Sequence, residues 1–438
     1  MDQARVEAGK LYSKITWRLI PYLFLLYILA YLDRANVGFA AVEFKHDLHL
    51  TDTAYGLGAA LYFLGQLLFD LPSNLLLQKV GARIWIARIM ITWGIIAALM
   101  MFVTGTRSFY AMRLLLGISE AGFFPGVILY LSFWFPSQER AKAVAKFMTA
   151  TSIAGVLGAE LSRVLLQLEG RYGLHGWQWL FLLEGVPTVL LGVSVLFVLR
   201  DGPKDAPWLT DAEKNFLDGE LKRDRDEGGA TEKHKLLDAF KMPMVWVLAL
   251  IFMLDQLGVY TVNFWMPTVL AGFLHTSVQA GAVQVGRLGA LPYLAAAICT
   301  VAIGWSSDRT GERRGHIALC LIIAASGFGW AAYAHSLTSV LCAFGLGAVG
   351  YWSMMGPFWT LPTRVLGGQA AAGGVAIITM IGSLGGFAGP ALTGKLKDVT
   401  HDYTAGLLVI GGLAIVGAGL CFLLPSSEAR GALSRAER

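Results

Sequence analysis

Long apolar blocks separated by short polar interruptions constrain this chain more than any other feature of its sequence. A helix needs about 20 mainly apolar residues to cross the hydrocarbon core of a bilayer. Twelve windows approach or exceed that length, roughly 18–40, 54–77, 84–104, 108–133, 143–167, 178–199, 244–270, 282–304, 316–334, 338–361, 370–393 and 404–424. No water is available in hydrocarbon, so each segment must satisfy its own backbone N–H and C=O groups, which a helix does. The expected fold class is an all-α membrane protein of twelve transmembrane helices. Composition agrees: 15% of the 438 residues are charged, against about 25% in soluble domains. The 51 glycines fit helices that approach one another closely.

The apolar windows fall into two sets of six around one long charged segment. The expected organisation is an N-terminal cytoplasmic tail 1–17, a six-helix bundle 18–200, a linker 201–241, a second six-helix bundle 242–425 and a tail 426–438. Within the linker, PWLTDAEKNFL reads as a short amphipathic helix with Thr210 as N-cap and Glu213 closing a capping box. The apolar run after MDQARVEAGKLYSKITWR is longer than a signal-peptide core and lacks a small-residue cleavage site, so it is expected to be a retained helix. With a cytoplasmic N-terminus, 26 of the 35 Lys and Arg fall on the cytoplasmic side and 6 on the other. The positive-inside rule then places both termini in the cytoplasm.

Composition also excludes classes. The net charge of +5 comes from loops rather than from one basic face, so nucleic acid is not an expected partner. Cys299, Cys320, Cys342 and Cys421 lie in apolar stretches without ligand spacing, and the eight histidines never pair at such spacing. No metal site, nucleophile elbow or phosphate loop is present in the sequence, and an enzyme is not expected. The linker and tail are too small for a sensor's output domain.

An internal repeat sharpens the reading. The second half contains Gly304-Trp-Ser-Ser-Asp308-Arg309-Thr-Gly311-Glu-Arg313-Arg314, and the first contains Asn74-Leu-Leu-Leu-Gln78-Lys79-Val-Gly81-Ala-Arg83. Each follows the second window of its set, with glycine and basic positions aligned. Glycine permits the tight turn. The GxxxDRxGxRR pattern resembles the signature of the major facilitator superfamily. That resemblance implies two six-helix halves around a cavity, alternating access, and a gating role for Gly304, Asp308, Arg309, Gly311, Gly81 and Lys79.

Charged residues inside a span are costly and mark pathways. The first span, LLYILAYLDRANVGFA, carries Asp33 and Arg34; the fourth, RLLLGISEAGFFPGV, carries Arg113, Gly117 and Glu120 on one helical face. Gly117 is expected to leave room between those two charges, and Pro125 with Gly126 to form a flexing point. One reading is a static pair, Asp33 with Arg34 or Glu120 with Arg113. The other is a site for a proton and an anion: a guanidinium stays charged and grips carboxylates in bidentate fashion, while burial favours the protonated form of a carboxyl group. Asp255 is a further intramembrane candidate. Arg287 either snorkels outward or adds positive charge to a cavity, and Asp70, Glu160 and Glu184 read as gate or cap residues.

Together YLDRANVGFA, RLLLGISEAGFFPG and GWQWLFLLEGVP resemble the anion:cation symporter family, which includes permeases for tartrate, sugar acids, phthalate and hydroxyphenylacetate. The resemblance implies an inner-membrane carrier importing a small organic carboxylate by proton symport; an exchanger or uniporter on the same fold stays open. By motif match it implies proton coupling at Asp33 and Glu120, substrate binding and gating at Arg34 and Arg113, and a cavity-lining Tyr31. Gln256, Tyr260, Asn263, Trp352 and Trp359 are further lining candidates. Thr379 and Ser383 stand where relatives commonly carry asparagine. The proton is the expected coupling ion, no cofactor is expected, and a monomer is the expected state.

Overall fold

The apolar windows fold as helices because nothing in them but the occasional proline interrupts the backbone ladder. The computed structural model describes residues 2–148, 150–230, 240–365 and 368–424. The helices are α1 (Asp2–Asp47), α2 (Asp52–Val80), α3 (Ala82–Leu99), α4 (Thr106–Glu120), α5 (Phe123–Ser132), α6 (Ser137–Met148), α7 (Ala150–Leu166), α8 (Gly176–Val198), α9 (Asp211–Ala230), α10 (Pro243–Gly272), α11 (Val278–Thr310), α12 (Arg314–Ala332), α13 (Leu337–Val365), α14 (Gly368–Thr400) and α15 (Thr404–Leu420). Among the described residues 11 stretches are long and apolar enough to span a bilayer, with α4 and α5 together forming one of them. The fifth window, 143–167, is taken by the end of α6 and by α7, on either side of residue 149, which lies outside the described residues. So do 231–239 of the linker and the expected tail 426–438. The segment read as an N-terminal tail, 1–17, is from Asp2 onward the first part of α1.

The fourth span breaks, but not at Pro125 and Gly126. Helix α4 ends at Glu120, Ala121 is extended at ψ 134°, and Gly122 turns left-handed at φ 82°. The proline is still the cause: its ring clashes with the carbonyl four residues earlier, which is Ala121. Asp70 Oδ1 accepts the freed Gly122 N–H at 2.6 Å and so caps the new helix.

Alternating helices put Asp47, Asp52, Gly272 and Thr400 at one end of the bundle, the far end, and the linker helix α9 at the other. Contacts between the two halves gather toward the far end. A Cβ on Gly38 (α1) would lie 2.0 Å from the Asn263 carbonyl oxygen (α10), and one on Gly56 (α2) 2.4 Å from that of Pro390 (α14). Tyr55 donates to the Phe264 carbonyl at 3.0 Å. Asp398 accepts the backbone N–H groups of Asp52 and Thr53 at 3.2 and 2.7 Å, capping α2 from the opposite half. Helix α2 records the change along its length: Tyr55 and Phe63 are buried, while Leu68, Leu71 and Leu75 toward the linker end are exposed.

At the linker end the expected capping box forms, with Thr210 N–H donating to Glu213 at 2.7 Å and Glu213 N–H to the Thr210 hydroxyl at 3.3 Å. Lys14 donates to both Glu213 oxygens at 2.9 Å. These donors hold the Glu213 carboxyl below its ordinary value, the Lys14 hydrogen bond contributing most. Asp224 caps α6 through Ser137, at 3.1 Å to its N–H and 2.9 Å to its hydroxyl, and Trp134 stacks on Trp208 with centroids 5.6 Å apart.

Candidate functional site

The first helix presents different faces to different partners, because successive residues are turned about 100° apart. Arg34 faces α2 and α4. Its Nε donates to the Tyr62 hydroxyl at 2.7 Å and to Glu120 Oε1 at 2.9 Å, and its terminal nitrogen pairs with the same carboxylate. Tyr62 donates to Glu120 Oε2 at 2.5 Å and accepts from Gln66 at 2.8 Å. The ion pair therefore crosses from α1 to α4, and neither pairing read from the sequence, Asp33 with Arg34 or Glu120 with Arg113, is the one formed.

Gly117 explains the geometry differently from the sequence reading. A Cβ there would sit 2.0 Å from the Tyr62 carbonyl oxygen, and one on Gly65 would sit 2.7 Å from that of Leu114. The two glycines bring the α2 and α4 backbones into contact, which delivers the Tyr62 hydroxyl to Glu120. Tyr62 and Gln66, spaced i, i+4 in an otherwise apolar stretch, are the members of this cluster that sequence reasoning missed; that spacing was the available signal.

Arg113 is 0% exposed, and its Nε and both terminal nitrogens lack a hydrogen-bond partner among the described residues. Its guanidinium lies 4.9 Å from the Tyr62 ring and 5.9 Å from that of Phe264. Aromatic faces attract a cation but offer no acceptor for its N–H donors. Asp33 is turned away from Arg34 toward α3, where Trp93 Nε1 donates to it at 3.1 Å; it remains within electrostatic reach of Glu120, Arg113 and Arg34.

Helix α10 closes the cluster from the second half. Tyr260 packs on Phe63 at 4.2 Å between centroids, and Asn263 accepts from Tyr293 at 2.7 Å. Tyr31 is buried within electrostatic reach of Tyr260 and Tyr293. Trp352 meets Tyr293 edge-on at 5.5 Å. The remaining lining candidates have other neighbours. Gln256 lies beside Gly382 of α14, and Trp359 packs on Phe252 at 5.1 Å. Thr379 and Ser383 donate to carbonyls of their own helix at 3.0 and 3.2 Å. Asp255 is wholly buried with neither oxygen hydrogen-bonded among the described residues, and Arg287 is exposed.

The repeat loops lie apart from this cluster. Gly311 ends α11 at φ 68°. Arg313 bonds Ser307 at 2.7 Å and Asp308 at 2.6 Å, leaving the Asp308 side chain largely exposed. Arg309 lies over Trp305 at 5.4 Å, while Gly304 has open space around its Cα. In the first copy Gly81 takes φ 98°, Arg83 N–H donates to Asp201 at 2.9 Å, and Lys79 is exposed. Elsewhere, Asp70 caps a helix as expected, Glu160 pairs with Arg163 at 2.7 Å, and Glu184 is buried at mid-helix on Asn36 rather than at an end. Among the described residues no group of three or more His, Cys, Asp or Glu is placed to hold a metal.

A helical bundle in two halves, with ionisable residues buried at depth and glycine-lined contacts between the halves, defines a polytopic membrane transporter. The chain belongs to the Major Facilitator Superfamily, whose sequence pattern matches residues 23–390. It is 44% identical to a protein of Agrobacterium vitis named "Putative tartrate transporter" over 98% of this chain and 94% of that one. It is 37% identical to the inner membrane transport protein RhmT of Escherichia coli K12, over 93% of each. Among solved structures, a bacterial homologue of the lysosomal transporter Spinster, in an inward-facing and unoccupied conformation, superposes with a TM-score of 0.74 over 94% of this chain and 96% of that one at 19% identity, a likeness of fold. The protein is a multi-pass membrane transporter and not an enzyme.

Proposed function

We propose that this protein imports a small organic carboxylate across a bacterial cytoplasmic membrane in symport with protons, by alternating access of the halves 18–200 and 242–425. The observation that carries the reading is Arg113: a fully buried guanidinium with no hydrogen-bond partner on any nitrogen among the described residues. A carboxylate is the complement of that fork, accepting two parallel N–H bonds. The tartrate transporter among its relatives supports a hydroxylated dicarboxylate as the substrate class. The inner-membrane relative and the Lys/Arg bias support a cytoplasmic linker end and cytoplasmic termini.

Coupling follows from the pair beside it. While Glu120 is ionised it occupies Arg34. A proton on Glu120 cancels that pairing and frees the Arg34 guanidinium for the incoming carboxylate. Proton and anion then favour each other's binding, which is thermodynamic coupling in the reciprocal sense. Asp33, within electrostatic reach of the cluster, is a second proton carrier.

The test uses purified protein in proteoliposomes with tartrate as probe. Arg113→Ala abolishes saturable tartrate binding, and unchanged binding rejects the anion assignment. Glu120→Gln retains counterflow exchange but loses accumulation driven by a pH gradient. Normal accumulation by both Glu120→Gln and Asp33→Asn overturns the coupling assignment and leaves an exchanger or uniporter.

A further inference from the structure

Two of the sequence motifs meet inside the first half, beside the substrate cluster. Asp33 and Asn36 are spaced i, i+3 and share one face of α1. Glu184 comes from α8, in FLLEG. Asn36 Nδ2 donates to Glu184 Oε2 at 2.5 Å, and Trp93 donates to Asp33 from α3. All three polar residues are at least nine-tenths buried. The remaining Glu184 oxygen, Oε1, and the Asn36 carbonyl oxygen, Oδ1, are buried acceptors without a donor among the described residues. The surrounding helices are tightly apposed: a Cβ on Gly185 would lie 2.5 Å from Ala98 N, and one on Gly94 2.9 Å from the Gly185 carbonyl.

Among the described residues Glu184 has no cation within reach to balance an ionised carboxylate. Among the described residues, Asp33 of α1 is the titratable group within electrostatic reach of Glu184. Helix α3 contributes the neutral Trp93, and on α7 Glu160 and Arg163 satisfy each other. Asp33 in turn is faced by Glu120 and Arg113 of α4 and by Arg34 of its own helix. Arg113 and Arg34 balance an ionised Asp33, whereas Glu184 has one amide donor and no cation within reach among the described residues, and a buried carboxyl so placed keeps its proton.

We propose that Asp33 and Glu184 form a carboxyl pair that holds one proton between them, with Glu184 the interior reservoir and Asp33 the member that exchanges with the substrate cluster. In the exchange step the O–H bond on Glu184 breaks, one forms on Asp33, and the pair keeps a single negative charge. The proposal deepens the proton-coupled reading and rests on it for its transport role, but the pair itself is measurable without substrate.

Infrared difference spectra of the purified protein in lipid, titrated over pH, read protonated carboxyl groups directly. The wild type is expected to show a buried carboxylic-acid band at neutral pH that Glu184→Gln removes. Asp33→Asn is expected to move the midpoint of that band by at least a factor of ten in proton concentration. A band unaffected by Glu184→Gln, or a midpoint unmoved by Asp33→Asn, overturns the pair. If Glu184→Gln does not fold, isotope-labelled glutamate in the wild-type and Asp33→Asn chains identifies the band, and the midpoint comparison decides. In proteoliposomes Glu184→Gln keeps tartrate counterflow and loses the pH dependence of uptake. Loss of coupling in Glu120→Gln with wild-type pH dependence in Glu184→Gln rejects the reservoir while sparing the symport reading; the infrared arms stand if symport itself fails.

Discussion

At the residue scale, the cluster turns on one hydroxyl and one unsatisfied cation. Tyr62 serves Arg34, Glu120 and Gln66 through its oxygen and Arg113 through its ring. Tyr62→Phe separates these roles, since it keeps the ring and deletes the oxygen. A hydrogen bond to a charged group contributes roughly 1.5–3 kcal/mol, about a tenfold to hundredfold effect on the equilibrium that bond governs. Tyr62→Phe is therefore expected to cut the pH-driven accumulation ratio of tartrate at least tenfold while its Kd changes by no more than a few-fold, measured by uptake and by calorimetric titration. Arg113→Lys keeps the charge and loses the fork, and a Kd raised at least tenfold is the expected result. The residue types at this site were readable from the chain, because Asp33, Arg34, Arg113 and Glu120 stand out in apolar surroundings. Their partners were not. Whether Glu120 meets Arg113 or Arg34 depends on how α1, α2 and α4 pack together, and the α2–α4 approach is set by backbone contacts at Gly117 and Gly65, which leave no local periodicity.

At the element scale, the spans were legible and their interruptions were not. The window 54–77 became Asp52–Val80 and 84–104 became Ala82–Phe102, since length and apolarity alone set a span. The break in the fourth span lies one turn before the proline that causes it, at a position fixed by Asp70 of a neighbouring helix. Gly122→Ala tests that joint. The left-handed conformation costs a Cβ-bearing residue roughly 1–2 kcal/mol, and a Cβ there would lie 2.2 Å from Ser73 Oγ. A lowered thermal midpoint of the purified protein is expected. The linker helix gives a test in acid. Its Glu213 titrates below the ordinary carboxylate value of 4.5 when folded, so its contribution is complete above that value and is lost as pH falls through the lower, folded one. Hydrogen exchange at residues 211–214 should quicken over that acidic interval, and Glu213→Gln should show the faster exchange already at neutral pH.

At the scale of the whole molecule, the two halves approach backbone to backbone at two places, and this limits what can be changed there. Gly38 against Asn263 and Gly56 against Pro390 leave no room for even a methyl group. Gly38→Ala is expected to disfavour the closed far end, seen as lost tartrate transport together with faster labelling, by a thiol reagent added from outside, of a cysteine introduced at Tyr55. Unchanged transport and labelling would show that the seam tolerates the extra carbon. Asp398 adds the complementary restraint, a carboxylate of the second half seated on the first turn of α2. A helix-capping contact of this kind contributes about 1 kcal/mol, less than a tenfold bias. One contact of that strength biases this end toward closure without locking it. Strengthening this clasp would be expected to slow the parting of the mouth and, with it, turnover.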